Sequence, residues 1–348
     1  MAHKANQHYV PQFYFRYFSK NGKSICLLNR DSGKTIESAP IKGQASKRYF
    51  YGDAEVENAL SEIEGLFSSA LRQIKDDSCF ESCTPENYVL LLQNIMLQKS
   101  RTMSARKKSK AMQDRLLQLY MECEVNNDES LDEETKEAFR TITQGLEANP
   151  KQYQGMEMSI AIECSKSLVD LLPIILHNRT NLPFIFGDAP VVFTNPYLKN
   201  VTLRGVLGAQ TPGLIVLYPI GSMHSIMLLD ERTYKIKKFR NSILLVRNLI
   251  DIAALNKLQI HNASIAVYFS DYQYSHYASE LWRQEKVRLV DHRGKVVEAP
   301  GVDHNGEPMG DIVHSFEEQL PFIPKFSFLE YQELPEEEYR FSLREEYA

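Results

Sequence analysis

An α+β fold is predicted for this 348-residue chain by three features: a strand-turn-strand pattern near its start, a middle with apolar residues at helical spacing, and a second half of short β-rich runs. SICLLNR (24–30), DSGK (31–34) and TIESAPI (35–41) read as strand, turn and strand, with Gly33 supplying the permissive backbone. Over 54–75, Val56, Leu60, Ile63, Phe67, Leu71 and Ile74 recur at steps of three and four, which defines a helix. Thr84-Pro85-Glu86 supplies an N-cap, a proline at the first helical position and an early acid, so a second helix is predicted from there past Lys110. A third helix fits 131–147, and a fourth fits 155–177 with a kink at Pro173. LPFIF (182–186), VVFT (191–194), GLIVLYP (213–219) and SIMLLD (225–230), bounded by Pro, Gly, Asn and Asp, read as strands of a mixed sheet. Residues 242–260 return to helix, SIAVYFS (264–270) is a further strand, and 275–285 form a short helix. The organisation predicted is an N-terminal aromatic segment and hairpin, a helical part over about 54–178 and a sheet part over about 180–270, all in one domain spanning 1–285. Residues 286–348, rich in Gly, Pro and charge, form a C-terminal extension that wraps the surface or is partly mobile.

Composition narrows the classes. With 43% apolar and 24% charged residues the chain is an ordinary globular protein. The start of the chain has no apolar signal-peptide core, and the most apolar stretch, Gly213 to Leu229, is broken by Pro219, Gly221, Ser222 and His224. No membrane partner is therefore expected. Five cysteines without paired spacing favour a reducing compartment, so the cytoplasm is the expected location. Cys79 and Cys83 lack the further ligands of a zinc site. The net charge of −5 conceals a basic run, Lys99, Arg101, Arg106, Lys107, Lys108, Lys110 and Arg115, able to hold phosphates or to form a solvated helix face. The Gly-Lys of residues 33–34 is a turn and not a phosphate-binding loop, and the motifs of serine hydrolases, zinc proteases and dinucleotide enzymes are missing.

The densest stretch is QHYVPQFYFRYFS (7–19), where six aromatic rings surround a histidine, a proline, two glutamines and an arginine. Its rings read as an anchor, and His8, Gln12 and Arg16 as the polar groups that this anchor holds in place. The string from His8 to Phe18 resembles the opening signature of a large, mainly bacterial family, domain of unknown function 4238. The resemblance runs over about 7–270 and implies matching positions at Tyr51, Glu57, Glu64, Gln98, Arg101, Thr102, Asp188 and Asn256. Where the family pattern has Ser-Asp-x-Pro, this chain has Gly187-Asp188-Ala189-Pro190, so a hydroxyl is missing. The resemblance brings no reaction with it.

Chemistry must come from the residues. Glu57 and Glu64, seven apart on one predicted helix, project from nearly the same face, and Asp188 ends a strand. With His8 they make a ligand set suited to Mg²⁺ or Mn²⁺. The plainer alternative leaves both glutamates on a solvated face, Asp188 capping a turn and His8 bonded to a carbonyl in the core. Arg101, with Gln98 in an apolar helix segment, needs a partner such as Glu57 or Glu64, or else holds a substrate phosphate. Two functions stay open. One is a divalent-metal-dependent phosphodiesterase, foremost a nuclease, in a bacterial defence setting. In it Glu57, Glu64 and Asp188 hold the metal, His8, Gln12, Arg16 and Arg101 are catalytic, and Gln98, Lys107 and Lys108 meet the substrate. The other is a non-enzymatic module that recognises a nucleotide, a peptide or a partner protein. DNA, RNA and small nucleotides all remain open as substrates.

Overall fold

The computed structural model describes residues 6–52, 54–77, 79–202, 204–237, 239–290, 294–302 and 307–344. The fold is α+β. It opens with β1 (Asn6–His8), a one-turn helix α1 (Gln12–Arg16) and the predicted hairpin of β2 (Ser24–Asn29) and β3 (Thr35–Pro40); β4 (Ser46–Arg48) then returns to pair antiparallel with β1. The helix α2 (Ala54–Asp77) keeps the period seen in the sequence, burying Leu60, Phe67, Leu71 and Ile74.

The predicted second helix is two. α3 (Pro85–Ser100) stops because Arg101 leaves helical geometry at φ −89° and ψ 1°. Thr102 then starts α4 (Met103–Asn127) as an N-cap, its hydroxyl accepting the Ala105 N–H at 3.1 Å. After α5 (Glu133–Thr143) and α6 (Pro150–Glu163), the predicted fourth helix is corrected as well. Residues 164–168 form a single 3₁₀ turn, and the segment around Pro173 is β5 (Leu172–Asn178). Ile174, Ile175 and Leu176 are all buried, which fits a central strand covered on both faces, and Pro173 sits near the strand start, where its missing donor is tolerated.

The second half supplies β6 (Phe186–Gly187), β7 (Val192–Thr194), β8 (Ile215–Pro219), β9 (His224–Leu229), β10 (Lys235–Ile236), β11 (Ile243–Val246), α7 (Leu249–Asn262), β12 (Ala266–Phe269) and α8 (Ser275–Glu285). The helix expected over 242–260 thus begins only at Leu249, behind a strand, because Asn248 accepts the Ile250 N–H at 2.9 Å and caps it there. A five-stranded sheet runs β11-β5-β9-β8-β7, mixed because only the β11–β5 pair is parallel. A four-stranded antiparallel sheet runs β3-β2-β12-β6.

The aromatic segment joins these two sheets. Tyr14 stacks on Tyr218 of β8 at 5.1 Å, its hydroxyl donating to the Pro219 carbonyl. Phe15 meets Phe186 of β6 at 5.3 Å and Tyr268 of β12 at 4.8 Å, and Phe18 meets Phe186 at 4.4 Å. The anchor reading of residues 7–19 therefore holds. Beyond residue 286 come a hairpin of β13 (Gly294–Val302) and β14 (Pro308–Glu317), and β15 (Leu329–Glu330), which pairs with β10. Leu320, Phe326, Phe328 and Leu329 are buried with residues of β5, β8 and α7, so part of the extension belongs to the core and not to its surface. Among the described residues no helix is long and apolar enough to cross a membrane, and all five cysteines are free.

Candidate functional site

Two successive carbonyls of the N-terminal segment are gripped by the end of α3. Gln98 donates from Nε2 to the Tyr9 carbonyl at 2.9 Å, and Arg101 donates from Nη2 to the His8 carbonyl at 2.7 Å. The guanidinium of Arg101, 2% exposed, also donates from Nη1 to Glu64 Oε1 at 2.9 Å and from Nε to the Tyr51 hydroxyl at 3.1 Å. That hydroxyl in turn donates to the His8 carbonyl at 3.2 Å, while the Tyr51 N–H bonds Gln7 Oε1 at 2.7 Å. Burial, outweighing the pull of Arg101, pushes the Tyr51 hydroxyl above its usual range, so it stays protonated and able to donate. The result is a cross-braced wall: β1, the residues before α2, α2 itself and α3 are locked through one buried cation.

On the solvent side of that wall lies a cavity of about 540 Å³. His8, Gln12, Arg16, Lys42, Glu57 and Glu64 line it. His8 Nε2 stands 3.1 Å from the Lys42 carbonyl, which can only accept, so Nε2 carries the proton and Nδ1 is the basic nitrogen of the neutral ring. Gln12 Oε1 accepts from Arg16 Nη2 at 3.4 Å, steadying a guanidinium at the cavity edge. Of the ten residues singled out in the sequence, five therefore meet here. Arg101 does not line the cavity but holds its wall, and the partner it takes is Glu64.

Asp188 lies elsewhere, in the interior at 1% exposure. It accepts the Ser264 N–H at 2.7 Å and the Ile265 N–H at 3.1 Å, so its oxygens pin the turn before β12 and do not reach the cavity lining. Burial pushes its carboxyl up to about 6 in spite of these amide donors, and burial together with the Asp188 carboxyl pushes the Tyr9 hydroxyl far above its usual range. Because the folded-state value lies above the unfolded one, the protonated form favours folding. Its stabilisation is complete below about pH 3.8 and is lost as pH rises through about 6, a difference of roughly 3 kcal/mol. A carbon-13 titration of the Asp188 carboxyl is expected to show its midpoint near pH 6; a midpoint below 4.5 would remove this account.

The segment around Asp188 is stitched to α7 by a polar ladder that the sequence reading found only in part. Asn256 accepts the Ile185 N–H at 3.0 Å and donates to the Pro183 carbonyl at 2.8 Å. Gln259 accepts the Gly187 N–H at 2.9 Å and donates to the Pro190 carbonyl at 3.0 Å, and Asn262 donates to the Ala189 and Val191 carbonyls. Amides at three-residue steps along one face of the helix are the signal that marks them. The missing hydroxyl at Gly187 is explained too: a Cβ there would stand 2.9 Å from the Gln259 carbonyl and the Ala263 methyl, so α7 packs where a serine side chain would go.

The basic run on α4 is matched from within. Lys108 Nζ meets Glu317 at 2.5 Å, Lys110 meets Asp114 at 2.9 Å and Glu147 at 2.8 Å, and Arg115 pairs with Glu298 and Glu122. Arg106 donates to the Phe50 carbonyl and to Gln154, and lies over the Phe50 ring at 3.6 Å. Lys107 is half-buried and, like Gln98 and Lys108, is not among the residues that line the His8 cavity. Among the described residues no three His, Cys, Asp or Glu side chains are grouped so as to hold a metal ion. No curated protein and no solved structure matches the chain. A family model does match, over residues 6–273, and its match takes in every residue placed in the cavity above. The chain belongs to that family, described as protein of unknown function (DUF4238).

Proposed function

We propose that this chain is a phosphodiesterase that takes a nucleotide-sized substrate into the His8 cavity. The reading rests on one observation: an imidazole, two carboxylates and a guanidinium from two separated segments line a single cavity whose volume, about 540 Å³, suits a small molecule. Arg16 steadies the phosphate, and Nδ1 of His8 takes the proton of the attacking water. The matched charges on α4 favour a nucleotide over a nucleic-acid strand, since a strand needs a run of free cations along its backbone. Glu57 and Glu64 are the side chains that would hold Mg²⁺ or Mn²⁺. Such an ion lowers the pKa of a bound water and offsets phosphate charge, and Mg²⁺ commonly uses only one or two carboxylates, completing its shell with waters and substrate phosphate.

The full chain should be assayed with Mn²⁺ on a generic phosphodiester, linear and cyclic dinucleotides, single- and double-stranded DNA, and RNA. Hydrolysis of the small substrates is expected. His8→Gln should lower it by a factor on the order of 10² or more while changing folding stability by no more than roughly 1 kcal/mol. A stably folded His8→Gln protein with full activity would sink the proposal. Binding of nucleotides in the same cavity without turnover would point instead to a non-enzymatic module.

A further inference from the structure

A second cavity, of about 320 Å³, lies between the end of α3, the start of α4 and the β13–β14 hairpin. Its wall carries two ammonium groups, Lys99 and Lys108, and two carboxylates: Glu317 at the end of β14, and Glu157 of α6, whose oxygens accept from Gln113 at 2.7 Å and Ser109 at 3.3 Å. The Glu317 carboxylate bridges the lysines: Oε2 accepts from Lys99 and Oε1 from Lys108, each at 2.5 Å. The lysines belong to the part of the chain matched by the family model, and Glu317 comes from outside it. Although burial opposes it, the two ammonium groups hold the Glu317 carboxyl well below the usual carboxylate range. Gln98, 1% exposed, lines the same cavity. Its Nε2 is committed to the Tyr9 carbonyl, which fixes the amide orientation, and its Oε1 has no hydrogen-bond partner among the described residues. A buried acceptor left unpaired costs free energy, so this oxygen calls for a donor.

We propose that this cavity binds a monohydrogen phosphate group, free or terminal on a nucleotide, and that Glu317 is its built-in occupant, displaced when the phosphate enters. The chemistry fits on three counts. Two phosphate oxygens replace the two carboxylate oxygens between the lysines. Between the two lysines a dianion answers both ammonium charges more fully than the single bridging carboxylate of Glu317 does, while Glu157 keeps its own donors, Ser109 and Gln113. Monohydrogen phosphate also carries an O–H that donates to Gln98 Oε1, which neither an ionised carboxylate nor sulfate can do. Displacement disturbs little else, because β14 is exposed along most of its length.

The test begins with the wild-type full chain. Inorganic phosphate should raise its melting temperature more than sulfate at equal ionic strength; equal shifts would overturn the proposal. Calorimetry on Glu317→Gln, which removes the internal competitor, should then give phosphate binding at least tenfold tighter than wild type. Adding Lys108→Met should abolish that gain. A folded Glu317→Gln protein without the gain, or a gain that survives Lys108→Met, would overturn the assignment. If Glu317→Gln does not fold, Glu317→Asp, too short to bridge both lysines, should show a larger phosphate-dependent rise in melting temperature than wild type, and no larger rise counts against it. Adenosine monophosphate beside inorganic phosphate separates the two sources: tighter binding of the nucleotide assigns the site to a nucleotide-borne phosphate, and equal or weaker binding to the free anion.

Discussion

Arg101→Met is expected to destabilise the fold by about 3 kcal/mol, the lower end of what breaking a buried ion pair costs, because one partner, Glu64, remains a quarter exposed. The methionine fills much of the volume, so the loss is electrostatic. It strands the Glu64 carboxylate, leaves the Tyr51 hydroxyl without its Nε donor, and takes one of two donors from the His8 carbonyl. Arg101→Lys should recover only part, since one ammonium cannot serve three partners in the directions a planar guanidinium does. Urea denaturation of Arg101→Met, Glu64→Gln and the double variant checks this through the coupling energy. A loss under about 1 kcal/mol in Arg101→Met, or additive single effects, would mean that the wall of the His8 cavity is held by something else.

How far the sequence revealed all this depends on the reach of each interaction. The hairpin β2–β3 and helix α2 were legible because turn chemistry and apolar period are local, as with Gly33 and the Leu60-to-Ile74 series. The break between α3 and α4 was not, although Thr102 is a good N-cap. What ends α3 is the inward turn of Arg101 toward Glu64 and His8, partners 37 and 93 residues away. Pro173 misleads for a related reason: an apolar run around a proline reads as a kinked helix until the two strands that pair along its edges, β11 and β9, are known. At the site, His8, Gln12, Arg16, Glu57 and Glu64 were found because they lie in short segments with visible spacing. Asp188 was grouped with them on chemistry alone, and its burial against backbone amides is a tertiary fact. Charge runs deceived most. The cations of α4 look free in sequence, but two of their partners, Glu298 and Glu317, lie some two hundred residues on in the extension.

The extension also carries the larger of the two stability effects. Arg344, 4% exposed and outside the family-matched residues, forms a bidentate pair with Asp170, Nε to Oδ2 at 2.5 Å and Nη2 to Oδ1 at 2.7 Å. The same guanidinium donates to the Ser167 carbonyl at 2.5 Å, the Ala209 carbonyl at 2.7 Å and the Thr211 carbonyl at 3.3 Å. It thus ties the turn that leads into β5 to the loop before β8. The Asp170 side chain is only 10% exposed, so Arg344→Met takes the bidentate guanidinium from a nearly buried carboxylate and a donor from several carbonyls, at a cost of about 3–5 kcal/mol. Ending the chain after residue 343 should cost at least as much, because it removes the same guanidinium and also the Arg344 N–H that bonds the Gln210 carbonyl at 2.8 Å. Replacing Asp170 with leucine in the Arg344→Met background should restore part of the stability, since an apolar pair avoids a nearly buried carboxylate that has lost its guanidinium. Urea midpoints for the four proteins decide it. If the shortened chain loses less than about 1 kcal/mol, the tail is only laid against the fold, and the anchoring role assigned to Arg344 is wrong.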